Sequence, residues 1–325
     1  MQFRTELSVS QSPTPISLGH GILTLGSCFA EVIGQRLLGH KAKVLVNPFG
    51  TIFNPLSAHS LLRRIITQNV EGLQGGLLER QGQWFHYDFH SSFTSSQPEA
   101  LLQLLEKAIS DAHAFLQDTQ HLLLTWGTAF VYERQDTGQS VSNCHKVPQK
   151  QFNKRLLSVT EITQDLQETL DLLYSHFPAM QVVLTVSPVR HLKDTLELNS
   201  VSKSTLRLAS HILQEQNTQV SYFPAHELLL DDLRDYRFYS SDLLHPSTMA
   251  EEYIWDKFAA AYLAEDFTQF LQVWQQVQRD LAHRPFSPES ASHQKFLHQL
   301  LTKLQSISSQ VDVQKEIASV KSQLI

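Results

Sequence analysis

Only two cysteines, Cys28 and Cys144, occur in the 325 residues, so no disulfide framework can hold this chain together. No apolar run approaches the roughly 18 residues that cross a bilayer. The opening MQFRTELSVSQSP lacks the continuous apolar core of a signal peptide. The expectation is a cytoplasmic protein with no membrane partner. Positive charge is scarce as well: 26 Lys and Arg face 32 Asp and Glu, for a formal net charge of −6 and a pI of about 6.2. No basic field invites nucleic acid. The histidines are numerous but scattered, and no predicted helix carries a His-x-x-x-His or His-Glu-x-x-His pair. No metal or other cofactor is expected. What the chain does have is apolar residues, 42% of the total. That suffices for a large core, as one domain or a domain with an appendage.

The most informative stretch is Gly26-Ser27-Cys28-Phe29-Ala30. It closes the apolar run Gly21 to Leu25 and opens an amphipathic one, Glu31 to Leu38. A buried strand therefore turns sharply into a helix with a hydroxyl at the turn. Gly26 removes a side chain where the backbone must bend. A helix N-terminus offers unpaired N–H groups and a positive dipole end, which suit an oxygen that becomes negative during acyl transfer. Ser27 reads as a nucleophile or, more plainly, as the helix N-cap.

Further on, Val44 to Val46 reads as a second strand ending in Asn47-Pro48-Phe49-Gly50-Thr51-Ile52-Phe53-Asn54-Pro55, an ordered loop because residues before proline avoid the α region. A helix is predicted over Ser57 to Ile66. The aromatic segment Trp84 to Phe93 is either an inserted strand or a loop over a cleft. A helix over Gln97 to Leu116 precedes a strand at His121 to Thr128, with Phe130-Val131-Tyr132 prolonging it or starting a hairpin. Asn143-Cys144-His145-Lys146-Val147-Pro148 is a polar knot. A helix over Glu161 to His176 leads to the strand Gln181 to Val186, then Ser187-Pro188-Val189-Arg190-His191. A helix over Ser204 to Gln216, a strand at Val220 to Phe223 and a helix over Met249 to Leu263 complete the alternation.

Strands alternating with helices argue for a parallel sheet covered on both faces. Loops at strand C-terminal ends build the site in such sheets, so Ser27, Asn47, Gly127 and Ser187 are expected along one edge. Past Asp266 the chain becomes Gln- and Lys-rich with a helical stripe, Phe296, Leu297, Leu300, Leu301 and Leu304. The division expected is residues 1–266 as the α/β domain and 267–325 as a helical appendage. The appendage packs on the domain or on a partner, a second copy of the chain included.

Asp242-x-x-His245 is the second anchor. A carboxylate three residues before a histidine can reach the ring across a turn, fix its tautomer through Nδ1 and leave Nε2 free as a base. The order Ser, Asp, His along the chain is one known arrangement of a triad. A surface loop with two polar residues is the plainer reading. Arg190 and His191 could bind an anionic substrate group, or Arg190 could pair with a nearby carboxylate. Cys28 reads chiefly as a small buried residue beside the nucleophile. Cys144 and His145 point apart in an extended segment and read as site-lining or structural. His86 and His90 line the cleft or sit in solvated turns, and Trp126 and Tyr132 read as core rather than as a sugar platform.

GSCFA at 26–30, NPFGTIFNP at 47–55, NCHKVP at 143–148, SPVRH at 187–191 and DLLHPS at 242–247 resemble the bacterial GSCFA family, which is placed among SGNH/GDSL hydrolase-like proteins. The resemblance covers roughly residues 3–265. It implies a flavodoxin-like three-layer α/β/α fold and ester hydrolysis or acyl transfer. It places the nucleophile on Ser27 and the orienting acid and base on Asp242 and His245. Of the oxyanion donors that the wider class uses, Gly50 is the nearest match to the glycine. Where Gly-x-Asn is the pattern, this chain has Gly127-Thr128-Ala129. Asn54, Asn47 or the Thr128 hydroxyl would have to substitute for the missing Asn. The function implied is a serine-dependent hydrolase or acyltransferase on small acyl esters, with O-acetylated carbohydrate as an analogy-based substrate. The alternative is a binding protein that keeps the fold without turnover.

Overall fold

The computed structural model describes residues 5–325; the first four residues of the lead-in lie outside the described residues. In chain order the elements are β1 (Gly21–Gly26), α1 (Cys28–Gly39), β2 (Lys43–Val46), α2 (Pro55–Thr67), β3 (Leu77–Arg80), β4 (Gln83–His86), α3 (Pro98–Leu116), β5 (Thr119–Trp126), β6 (Phe130–Arg134), β7 (Ser140–Val141), β8 (Phe152–Leu156), α4 (Val159–His176), β9 (Gln181–Val186), α5 (Thr195–Gln216), β10 (Val220–Tyr222), the single turn α6 (Ala225–Glu227), α7 (Thr248–Tyr262), α8 (Glu265–Leu281), α9 (Ala291–Ile307) and α10 (Gln314–Lys321).

Five strands form the central parallel sheet in the order β10-β9-β5-β1-β2. Renumbered within the sheet this is 2-1-3-4-5, the flavodoxin-like order. Alternation along the strands sorts the core onto two faces. Ile22, Leu123 and Val183 pack with Phe29, Ile33 and Leu37 of α1 and with Ile254 and Phe258 of α7. Leu23, Leu25, Leu122, Leu124, Val182 and Leu184 pack with α2, α3, α4 and α5. The result is the expected three-layer α/β/α fold.

The C-terminal helices extend the first of these layers. Leu297, Leu300 and Leu304 of the predicted stripe are buried in the same apolar cluster as α1 and α7. Trp274 Nε1 donates to Gly39 O at 2.8 Å, and Lys41 on the domain pairs with Glu316 of α10 at 2.7 Å. The stripe is thus covered within the chain itself. No helix among the described residues is long and apolar enough to cross a membrane.

Two small sheets are inserted at the strand-end side. β3 and β4 form a hairpin whose turn, Gln81-Gly82, has positive φ at both residues, the geometry that matches strand twist in two-residue loops. The aromatic segment therefore begins as a strand, Gln83–His86, and continues as a loop. That loop packs Phe89 edge-on against Phe49 at 5.3 Å. β6, β7 and β8 form an antiparallel sheet. Phe130 starts a separate strand instead of prolonging β5. β8, Phe-Asn-Lys-Arg-Leu, has no apolar alternation to announce it. Helix α5 starts at Thr195, nine residues before the expected Ser204. Its first turns expose Leu196, Leu198 and Val201 to solvent, so no apolar stripe marks them.

Candidate active site

In the sheet order, the direction of winding reverses between β1 and β5, and ligands of such folds bind outside the strand ends at that point. Ser27 follows β1 and Gly127 follows β5. A methyl group built on Gly127 would lie 3.3 Å from Ser27 Cβ, so the two are neighbours in the crevice.

Ser27 is the N-cap of α1, with extended backbone and Oγ accepting from Phe29 N–H at 3.3 Å. Its residue surface is 1% exposed. Ser27 therefore caps the helix, and it does so at the switch point. Gly26 has φ +141°, and a Cβ there would sit 2.0 Å from Thr125 O. Only glycine lets β1 run this close to β5 and still turn. The turn is bracketed from behind by Asn47, whose Oδ1 accepts from Gly26 N–H at 3.0 Å and whose Nδ2 donates to Glu31 at 3.2 Å.

Asp242 and His245 meet as expected. Asp242 Oδ2 lies 2.6 Å from His245 Nδ1, and Oδ1 accepts from the N–H groups of Leu244 and His245 at 2.9 and 3.0 Å. Those backbone donors, with the ring, hold the Asp242 carboxyl down at about 2. The acid is therefore an acceptor, with Nδ1–H as its donor, and Nε2 is the ring nitrogen that Asp242 leaves unengaged. The side chains are half exposed, 50% for His245 and 45% for Asp242. The loop is tied to the strand end after β9 by Arg190 N–H, which donates to Leu244 O at 3.2 Å. His245 lies within electrostatic reach of His191, whose Nε2–H donates to Gly127 O at 3.1 Å. Among the described residues no hydrogen bond joins Ser27 Oγ to His245.

The expected oxyanion donors are engaged elsewhere. Gly50 N–H donates to Asn47 O at 2.8 Å, Gly127 N–H to Phe53 O at 2.8 Å, and Ser27 N–H to Thr125 O at 3.0 Å. The Asn47 side chain is spent on the turn, as above. Asn54 caps α2, accepting from Ser57 N–H at 2.9 Å and donating to Ser57 Oγ at 3.0 Å. The Thr128 hydroxyl accepts from Phe130 N–H at 3.1 Å and lies 3.1 Å from Ser202 Oγ. His145 is not at the crevice edge: its Nε2–H donates to His86 O at 2.8 Å under the β3–β4 hairpin. His90 packs on Gly50, where a Cβ would lie 2.4 Å from the His90 side chain. Arg190 stacks on Tyr239, 4.0 Å from the ring centre, rather than pairing with a carboxylate among the described residues. What remains at the crevice is the N-terminus of α1, where Cys28 N–H heads the helix without an intrahelical acceptor. Burial pushes the Cys28 thiol up, so it stays protonated and unreactive.

One residue beneath the site is invisible in the sequence pattern. Lys203 on α5 is buried and donates to Gly127 O and Ser187 O, both at 2.7 Å. It clamps the ends of β5 and β9 together. Burial pulls its ammonium down to about 7, while the two carbonyls favour the charged form. Lys203→Met should destabilise the fold by about 2 kcal/mol, since Ser187 O loses its donor and Gly127 O keeps only His191. Urea unfolding of the two proteins measures this. A change below about 0.5 kcal/mol would mean that the carbonyls find other donors.

The GSCFA family model matches residues 21–258. The chain belongs to the GSCFA family. A second family model, that of the GSCFA domain protein's C-terminal domain, matches residues 274–325, so the helical tail has a family counterpart of its own. No curated protein matches the chain. Among solved structures, one described provisionally as a platelet activating factor from Streptococcus pneumonia is 15% identical, covering 74% of this chain and 83% of that one, with a TM-score of 0.39.

Proposed function

We propose that this GSCFA protein is a serine-dependent hydrolase or acyltransferase of the SGNH/GDSL kind, acting on small acyl esters, with O-acylated carbohydrate as the substrate class to try first. The observation that carries this reading is the Asp242–His245 pair at 2.6 Å. It is a base with a fixed tautomer, on the strand-end side where Ser27 heads a helix. In the reaction His245 Nε2 takes the Ser27 proton as Oγ attacks the ester carbonyl, and Asp242 stabilises the imidazolium. The loop that carries them is exposed and bends at Leu243, φ +61°, and its closure on Ser27 is part of the proposal. Catalytic hydrogen bonds commonly tighten only once substrate is bound. The oxyanion is assigned to Cys28 N–H and the positive end of α1. His245 then returns the proton to the departing alcohol. Water, or an acceptor alcohol, releases the acyl group.

A second reading, ligand binding without turnover, is favoured by the engaged N–H groups of Ser27, Gly50 and Gly127. Incubation with a fluorophosphonate separates the two. The catalytic reading expects a mass adduct on Ser27 that disappears in Ser27→Ala and in His245→Ala. A folded wild-type protein that stays unlabelled would overturn the catalytic reading and leave the binding reading to be tested with ligands.

A further inference from the structure

Beside the crevice lies a cavity of about 310 Å³ between the β6–β8 sheet and the segment after β9. Its near wall is shared with the proposed active site. Phe53 and His191 line it, edge-to-face at 6.1 Å. The Phe53 ring would lie 3.2 Å from a Cβ on Gly127, the same point that Ser27 Cβ approaches. Its far wall is Phe130 and Tyr132 of β6. The volume is at the small end for ligand pockets and suits one six-membered ring rather than a chain of them.

Charge on this pocket is unbalanced. Lys154, directly across the sheet from Tyr132, stands 4.5 Å from the Phe130 ring centre and is ion-paired with Asp194. Lys193 stands 5.4 Å from the Tyr132 ring centre, and among the described residues it pairs with no carboxylate. Burial, with the neighbouring Lys193 charge adding to it, pulls the Lys154 ammonium below its ordinary value. His191, held down at about 4 by burial first and Lys203 second, adds no charge at neutral pH. One positive charge is left over at an aromatic wall.

We propose that this pocket receives the alcohol part of the ester, and that this alcohol is a six-membered ring carrying one anionic group, its ring between Phe53 and Tyr132 and its charge at Lys193. The inference rests on the hydrolase reading for the word "alcohol"; the pocket's preference for an anionic ring stands apart from it. A small acyl group needs only the space at Ser27, which leaves this cavity to the larger half of the substrate.

The test is binding, measured by calorimetry on the full chain at low ionic strength, so that it does not depend on turnover. The probes are 4-hydroxybenzoate, phenyl phosphate and the neutral methyl 4-hydroxybenzoate. The wild-type protein is expected to bind at least one anionic ring about fivefold more tightly than the neutral one, the range of a partly exposed charge pair. Lys193→Gln should abolish that preference, and Tyr132→Ala should weaken both kinds of ring. Whichever anion is favoured tells carboxylate from phosphate. No binding of any ring, equal binding of neutral and anionic rings, or a preference that survives Lys193→Gln would overturn the proposal. Anion-selective binding without fluorophosphonate labelling would leave the pocket standing and remove the hydrolase. Labelling at Ser27 without anion selectivity would do the reverse.

Discussion

Gly26→Ala should destabilise this protein by at least roughly 4 kcal/mol, a large share of the 5–15 kcal/mol that holds a typical domain folded. Two costs combine. The residue sits at φ +141°, a region that side chains rarely enter and that costs about 1–3 kcal/mol. The new methyl would also lie 2.0 Å from Thr125 O and 2.8 Å from Thr125 C. Those are backbone atoms of the central strand β5, paired in register with Gly26 itself. No flexible side chain can swing aside; β1 and β5 would have to part. Parting them breaks the Ser27 N–H to Thr125 O bond and drags Ser27 away from Gly127. Urea unfolding checks the prediction, with Gly19→Ala as a control, since nothing lies within 4 Å of a Cβ at Gly19. A loss at Gly26 no larger than the control's would mean that the turn is not built as described.

That turn shows how much the sequence reveals and where it stops. Gly21 to Leu25 and Gln181 to Val186 are legible as strands because both faces of a parallel sheet are buried and the run is apolar throughout. The Asp242–His245 contact is legible because three residues and a turn suffice to make it. Asn47 is legible as part of an ordered loop, but its side chain reaches 21 residues back to Gly26 N–H, and no local pattern records that. The same holds for Gly50 and Gly127. Their type suggests free N–H groups, while tertiary contacts to Asn47 O and Phe53 O use them. Lys203 resembles any lysine on an amphipathic helix until the strand ends close over it. The β6–β8 sheet is obscure for a different reason. Glu133, Lys154 and Arg155 put charge on its strands, held by ion pairs such as Arg155 to Glu133 at 2.8 Å rather than by an apolar face. Through this sheet Tyr132, a core residue by its sequence pattern, ends up on a pocket wall.

Acid should unfold this protein well before its carboxylates are titrated, with stability falling from about pH 6.5 downward. Burial holds His121 and His191 at about 4 and His226 at about 3, against 6.5 for a free histidine. His40, His59, His86 and His145 are lowered by burial as well. The unfolded chain takes up a proton at each of these rings near pH 6.5, whereas the native chain refuses it until a lower pH, about 4 for His121 and His191. The stability is therefore whole above pH 6.5 and is lost as the pH falls toward the native values. Each pH unit that separates a ring's native and unfolded titrations is worth about 1.4 kcal/mol. His121, buried between Thr14 O and the His20 ring, therefore costs about 3 kcal/mol on its own by the time the pH reaches about 4. Several such rings exceed a domain's whole margin. Urea midpoints at pH 7.5, 6.5, 5.5 and 4.5 should fall slightly between the first two, by about 0.4 kcal/mol for each such ring, and steeply after. His121→Asn should shallow the drop by up to one proton's worth, about 1.4 kcal/mol per pH unit, even if it lowers stability at pH 7.5. A profile flat down to pH 4.5, or a slope unchanged in His121→Asn, would mean that these rings are charged or solvated in the native fold.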